Sequence, residues 1–292
     1  MKKTFKENIK CIKKENISIL NNRYILGEEI GRGGLSIVHK SLDLYNEYFN
    51  VKSNIAIKIP TKELLTKKQI EDFVFSEYLF LKELNNENIV KVLDYGIDKK
   101  SNIPYLVLEY LEGKLLSQLP IPTLSKKFKI NLFIDLFTSL LYIHKKGIIH
   151  ADINPSNIII SQNQKSKIFD FGISQYVDAT DKIQLDYKQF KGFSPQYCAP
   201  EILNGEKPSF ESDIFSFAVM MYELFTLKLP YSKNSLELIN HKFTNKELEN
   251  IPFFLRFWFK KTLNSNPKTR INNNFVYFLT KNKQISNFLI VI

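Results

Sequence analysis

The spacing of apolar and polar positions changes period several times along this chain, and each change marks an element. Tyr24–Ile30 reads as a strand running into Gly31-Arg-Gly-Gly-Leu-Ser-Ile-Val38. A second strand after Val38 leads into residues 42–54, a polar, tyrosine-containing connection longer than an ordinary hairpin loop, expected as a surface insertion. Ile55-Ala-Ile-Lys-Ile59 is a β-branched run with one lysine inside it. Over residues 66–84 the period becomes helical, with Ile70, Phe73, Val74, Leu81 and Leu84 on the apolar face. Val90–Tyr95 and Ile103–Tyr110 return to strand. From Ser125 a stripe of Phe128, Leu132, Phe133, Leu136, Phe137, Leu140 and Ile143 predicts a buried helix face. It stops at Gly147, where a glycine can end the last turn. Further helical segments are expected up to the C-terminus.

Composition narrows the class. The 292 residues allow one large domain or two lobes, and 44 % apolar with 24 % charged residues is an ordinary globular balance. The net charge is +11, and Met1–Asn22 holds six lysines against two glutamates, with Phe5, Ile9 and Ile12 at helical spacing. Such a basic N-terminal tail is read first as a frayed leader or a helix docked on its own domain, with a partner or membrane contact as the other reading. The remaining positive charge is dispersed, so no specific nucleic-acid partner is expected. Cys11 and Cys198 lie far apart and in no metal-ligand spacing, which suits a reducing, cytoplasmic location. No apolar run approaches the roughly 20 residues of a transmembrane segment, and the basic N-terminus lacks the apolar core of a signal peptide.

Candidate chemistry concentrates in Ile149–Gly172. Asp152, Asn157 and Asp170 put an acid, an amide five residues on and a second acid just before Phe171-Gly172, with the apolar run Ile158–Ile160 behind them. Asp152 can accept a proton from a hydroxyl, while Asn157 and Asp170 offer hard oxygen ligands for Mg²⁺. Upstream, Gly31, Gly33 and Gly34 would let backbone N–H groups approach phosphate oxygens, although a glycine-rich turn alone is often only a hairpin. Lys58, within an apolar strand, either snorkels to water at an edge or meets an anion. Glu77 on the 66–84 helix is a candidate for that anion.

Taken together these blocks resemble the protein kinases of the Hanks type, Ser/Thr class, over about residues 24–280. The glycine-rich loop has Ser36 at its third glycine position. His150-Ala-Asp152-x-x-x-x-Asn157 and Asp170-Phe-Gly172 are similar to the family's catalytic loop and metal-binding turn. Ser194-Pro-Gln-Tyr-Cys-Ala-Pro-Glu201, Ser212–Thr226 and Asn266-Pro-Lys-Thr-Arg270 resemble the blocks that separate protein kinases from small-molecule phosphotransferases. The resemblance implies an α+β, bilobal fold: a five-stranded antiparallel sheet with one main helix, joined to a mostly helical lobe. It implies a kinase domain over 23–292, with N-lobe 23–108, hinge 109–113 and C-lobe 114–292. ATP and Mg²⁺ would be bound, and protein hydroxyls phosphorylated. Asp152 would orient the acceptor hydroxyl and take its proton, Asn157 and Asp170 would hold Mg²⁺, and Lys58, fixed by Glu77, would contact the α/β-phosphates. Ile30, Val38, Ala56 and Ile159 would sandwich the base, Leu108 would be the gatekeeper, and the Glu109 carbonyl and Leu111 backbone would face adenine. Asp213 would hold the catalytic-loop backbone, Arg270 would pair with Glu201, and His150 would pack behind the Asp-Phe-Gly turn. Two departures in the catalytic loop bear on activity: Ala151 stands where an arginine is usual and Asn154 where Ser/Thr kinases usually carry a lysine. The alternative these departures leave open is a nucleotide-binding pseudokinase acting as a scaffold.

Overall fold

The computed structural model describes residues 18–178 and 192–270. Among these, residues 18–85 and 90–112 form one compact unit, and residues 86–89, 113–178 and 193–270 form a second.

The first unit is built on an antiparallel sheet of β1 (Ile19–Leu20), β2 (Tyr24–Arg32), β3 (Ser36–Asp43), β4 (Ile55–Pro60), β5 (Val92–Ile97) and β6 (Pro104–Glu109), in the order β1-β2-β3-β4-β6-β5. Side chains alternate across β4, so Ile55, Ile57 and Ile59 share one face and Ala56 and Lys58 the other. The isoleucine face packs with Leu20, Tyr24, Leu26, Tyr105 and Val107. The sheet has six strands rather than the expected five. The extra one, β1, pairs Ile19 with Ile25 and Leu20 with Tyr24. Asn21 and Asn22 make this possible, with φ of 48° and 56°, and Arg23 N–H closes the turn on Leu20 O at 2.9 Å. Asparagine tolerates that left-handed conformation, so a pair that looked like the end of a polar tail is a hairpin turn.

Asp98 then ties the turn to the β5–β6 connection. Its carboxylate accepts from Asn21 N–H at 2.8 Å, from Ser101 N–H at 2.9 Å and Oγ at 2.8 Å, and from Lys100 N–H at 3.2 Å. The 42–54 connection is not wholly irregular. Asp43 accepts from Tyr45 N–H and caps a short helix, α1 (Leu44–Tyr48), whose Leu44 is buried. The main helix α2 (Ile70–Glu83) buries Ile70, Phe73, Val74, Glu77, Phe80 and Leu81 at three- and four-residue spacing.

The second unit is mostly helical. Its long helices are α3 (Lys126–Lys145) and α5 (Phe210–Thr226), with the short α4 (Pro200–Leu203) and the ten-residue α6 (Phe253–Thr262). Ser125 accepts from Phe128 N–H and starts α3, and Gly147 follows its end with φ of 73°. Helix α5 is buried along nearly its whole length, Ser212, Asp213, Ser216 and Thr226 included, with a reciprocal cap between Ser209 and Ser212. Phe133 and Phe137 of α3 meet Trp258 of α6 edge to face at 5.1 and 5.4 Å, and Phe217 of α5 lies 5.3 Å from Phe133. Each such ring pair adds about 0.5–1.5 kcal/mol beyond the area it buries. Two small antiparallel sheets sit in the same unit: β7 (Lys114–Leu115), β9 (Ile158–Ile160) and β10 (Ser166–Ile168), and β8 (Ile148–Ile149) with β11 (Gln175–Tyr176). Gly113 is needed where the chain runs into β7, since a Cβ there would lie 2.4 Å from Ile160 O. Among the described residues no helix is long and apolar enough to cross a membrane.

Candidate active site

In the first unit, β4 and α2 bring an opposite-charge pair into a dry environment. Lys58 Nζ lies 2.7 and 2.8 Å from the two Glu77 carboxylate oxygens, and both side chains are buried. Breaking such a pair from one side strands a desolvated charge, at a cost of about 3–5 kcal/mol. The strand register puts Val38 opposite Lys58, and Ala56 opposite Leu108, all on the face away from the isoleucine core. Gly31 pairs with Val38, and Gly33 N–H bonds Ser36 O at 2.9 Å to close the β2–β3 turn, while Gly34 is open on its Cβ side. Thr61, just past β4, steadies that turn: its N–H bonds Leu35 O at 3.1 Å and its hydroxyl donates to Gly34 O at 3.5 Å. Ile30 is exposed on β2, Glu109 ends β6 with its N–H on Lys91 O, and Leu111 is half-buried beyond it.

In the second unit, the segment between β8 and β9 holds a carboxylate from several sides. Asp152 Oδ1 accepts from Ser194 N–H at 2.9 Å, and Asp152 Oδ2 accepts from Asn157 Nδ2 at 2.8 Å. Asn157 Nδ2 also donates to Asp152 O at 2.8 Å, so the amide is turned with its oxygen left as a donor atom for a cation. Asn154 completes the ring of contacts. Its Nδ2 reaches Ser194 Oγ at 3.0 Å and Asp152 O at 3.2 Å, while its Oδ1 accepts from Ser156 N–H at 2.8 Å. Burial pushes the Asp152 carboxyl above its ordinary value, against the pull of the Ser194 N–H. Burial pushes the His150 imidazole below its ordinary value; its Nδ1 accepts from Asp152 N–H at 3.3 Å, and the ring packs 4.6 Å from that of Phe171.

Asp213, on α5, fixes this segment from below. It is fully buried and accepts from His150 N–H and Ala151 N–H at 2.8 Å each, and from His144 Nε2 at 2.9 Å. Those bonds hold Ala151 at φ 68°, a conformation that costs a non-glycine residue roughly 1–2 kcal/mol. Asp170 likewise has φ of 66°, with Gly172 N–H 3.3 Å from its Oδ1. Arg270 grips Glu201 at both carboxylate oxygens, at 2.5 and 2.8 Å, in a buried bidentate pair.

Residues 24–285 match the family model described as the protein kinase domain. The chain belongs to the protein kinase family. A probable serine/threonine-protein kinase of Clostridium acetobutylicum is 31 % identical over 270 residues, covering 88 % of this chain and 39 % of that protein. The serine/threonine-protein kinase PknB of Mycolicibacterium smegmatis is 32 % identical over 223 residues, covering 74 % and 34 %. The MAP3K epsilon protein kinase 1 of Arabidopsis thaliana is 32 % identical over 216 residues, covering 73 % and 15 %. The chain therefore spans about two fifths or less of the length of these relatives.

Within this kinase fold, the structure brings Lys58 to Glu77, Asp152 to Asn157, Asp213 to the Ala151 backbone and Arg270 to Glu201. Gly31, Gly33 and Gly34 stand at the β2–β3 turn, Val38, Ala56 and Leu108 share a sheet face, and Ile159 lies on β9 of the second unit. Sequence reasoning missed three contributors. Thr61 braces the glycine-rich turn, His144 supplies a third donor to Asp213, and Asn154 links Ser194 to the Asp152 backbone. Asn154 was expected only as a missing lysine. The signal that could have found it is the Asn-Pro-Ser run, since asparagine before proline commonly caps a turn with its own carbonyl oxygen.

Proposed function

We propose that this chain is an ATP-dependent kinase that transfers the γ-phosphoryl group to serine or threonine hydroxyls of protein substrates. The observation that carries the reading is the Asp152 carboxylate, oriented by Ser194 N–H and Asn157 Nδ2 and raised in basicity by burial. A carboxylate so held can accept the proton of an incoming hydroxyl as its oxygen attacks phosphorus. Asn157 Oδ1 and the Asp170 carboxylate would hold Mg²⁺. Two hard oxygen donors suit an ion that keeps waters and takes its remaining ligands from phosphate, and among the described residues no cluster of three or more acidic, His or Cys side chains offers an all-protein cage. When bound, the ion would neutralise charge on the transferring group. Lys58, aimed by Glu77, would contact the α/β-phosphates; Ile30, Val38, Ala56 and Ile159 would line the base, with Leu108, the Glu109 carbonyl and the Leu111 backbone at its edge. The Ser/Thr assignment draws on Pro155, which resembles the Ser/Thr rather than the tyrosine pattern of the catalytic loop, on the block around Ser194 and on the names the bacterial relatives carry. A cytoplasmic site of action fits Cys198, which is free and buried among the described residues.

The test is phosphate transfer from labelled ATP with Mg²⁺ to a generic basic protein and to the chain itself. Wild type should label serine and threonine, and Asp152→Asn should lose at least about a hundredfold in rate while ATP affinity changes little. Tight nucleotide binding with no transfer by wild type would instead support the pseudokinase reading, which Asn154 favours by removing one positive charge from the catalytic loop.

A further inference from the structure

Helix α6 breaks the usual rule for a surface helix. Its inner face is filled by Leu255, Trp258, Phe259 and Thr262, all buried, so the fold takes what it needs from that side. The opposite face carries Phe253 and Phe257, one turn apart and 59 % and 60 % exposed. The ring of Phe254 stands edge to face with Phe253 at 5.7 Å, extending the apolar surface. Lys260 and Lys261 occupy the next turn of the same face, and Lys261 Nζ lies 5.9 Å above the Phe257 ring. Lys260 Nζ bonds Asn245 Oδ1 at 3.1 Å, and Lys246, next to Asn245 in sequence, is exposed. One exposed aromatic needs no explanation, and lysines in a last turn complement the helix dipole. Two phenyl rings side by side on an outward face are accounted for by neither.

We propose that the outer face of α6 is a contact site for an anionic bilayer surface. Exposed rings beside exposed ammonium groups on one face suit a planar, negatively charged surface. Phenyl rings enter the boundary between headgroups and acyl chains, and flanking ammonium groups stay at the phosphates. A second copy of the chain fits less well. Two α6 helices packed antiparallel by a two-fold axis would direct each last-turn lysine pair at the positive N-terminal end of its partner, between molecules of net charge +11. The exposed Glu249 before the helix is the nearest acidic residue in sequence; Arg256 bonds its backbone carbonyl at 2.8 Å, which keeps a guanidinium beside it.

The experiment is co-sedimentation of the full chain with vesicles of phosphatidylcholine alone or with about one-third phosphatidylglycerol. Phe253→Ala/Phe257→Ala and Lys260→Glu/Lys261→Glu are compared with wild type, and circular dichroism checks that each folds. Wild type should partition onto the anionic vesicles and far less onto neutral ones. The lysine reversal should weaken partition by at least about 25-fold, the share of two lost lysines alone, and the phenylalanine pair by at least about tenfold, with phosphoryl transfer in solution unchanged. Equal binding by the variants and wild type would assign vesicle contact to the lysine-rich N-terminus and overturn the proposal. So would failure of wild type to bind either vesicle, or a wild-type dimer in sedimentation equilibrium that the phenylalanine variant abolishes.

Discussion

At the scale of single residues, the site depends on charges and amides that burial forces to find partners. Lys58 and Glu77 are the clearest case, because each desolvates the other and the pair is bidentate at 2.7 and 2.8 Å. Lys58→Met and Glu77→Gln should each cut turnover sharply. The double variant should cost much less than the two losses combined, a coupling of about 1–3 kcal/mol in a double-mutant cycle of kcat/KM. Strict additivity would mean that the pair has no joint role. Asn154 makes a different argument. It bonds Ser194 Oγ, Asp152 O and Ser156 N–H at once, so Asn154→Ala would release the residue whose N–H orients the Asp152 carboxylate. Steady-state kinetics should give kcat reduced by about tenfold or more with the KM for ATP nearly unchanged, the pattern of an interaction used in the transition state.

The element scale adds β1, a two-residue strand that could not hold itself in place by its own pairing. Its turn is secured by Asp98. Burial opposes the charged form there, yet the donors from Asn21, Ser101 and Lys100 hold the Asp98 carboxyl below its ordinary 3.8. A carboxyl depressed on folding contributes stability that is complete above its unfolded value and lost as pH falls through the folded one. Urea unfolding should therefore weaken for wild type between about pH 5 and pH 2 by more than for Asp98→Asn, which has no proton to take up there. At pH 7 the Asp98→Asn protein should be less stable by about 1–3 kcal/mol, since an amide NH₂ would face backbone N–H donors.

For the molecule as a whole, what is absent from the catalytic loop bears on control. Relatives with arginine before the catalytic aspartate can order their activation segment through charge-assisted bonds from that arginine to a phosphate. Here the position is Ala151, and its backbone is already held by Asp213. Thr180, Tyr187 and Ser194 are hydroxyls between the Asp170-Phe-Gly turn and Glu201 that could carry such a phosphate, and Thr180 and Tyr187 lie outside the described residues. Ser194 is engaged with Asn154 through its hydroxyl and with Asp152 through its N–H. Activity is accordingly expected without activation-segment phosphorylation. A phosphatase-treated preparation, bare by mass spectrometry, should retain initial rates within about threefold of the untreated protein, under roughly 1 kcal/mol of barrier. Rates near zero that recover only as phosphate returns would refute this.

Sequence and tertiary structure divided the work along a physical line. The sequence determined the strands around Lys58, the helix carrying Glu77 and the stripe of α3, because periodic burial of apolar side chains is written in neighbouring residues, while α5 was expected from the resemblance of Ser212–Thr226 to a kinase block. Only Lys58, a lysine inside an apolar strand, was marked by its own context as needing an anion; its pairing with Glu77, the Arg270–Glu201 pair and the place of Asp213 followed from the resemblance of their motifs to the kinase blocks. What only the folded chain decided is carried by small polar residues with no period to betray them. Asn21-Asn22 became a hairpin because Leu20 found a place in the core beside Tyr105. Thr61 braces Gly34, Asn154 meets Ser194 from 40 positions away, and His144 reaches Asp213 from 69. Asparagine, serine and threonine are at home in any turn, so only the chain path determines which backbone group each will satisfy. The outward rings of Phe253 and Phe257 belong with these: they interrupt no pattern in the sequence, and only the packing of Leu255, Trp258 and Phe259 inward leaves them facing out.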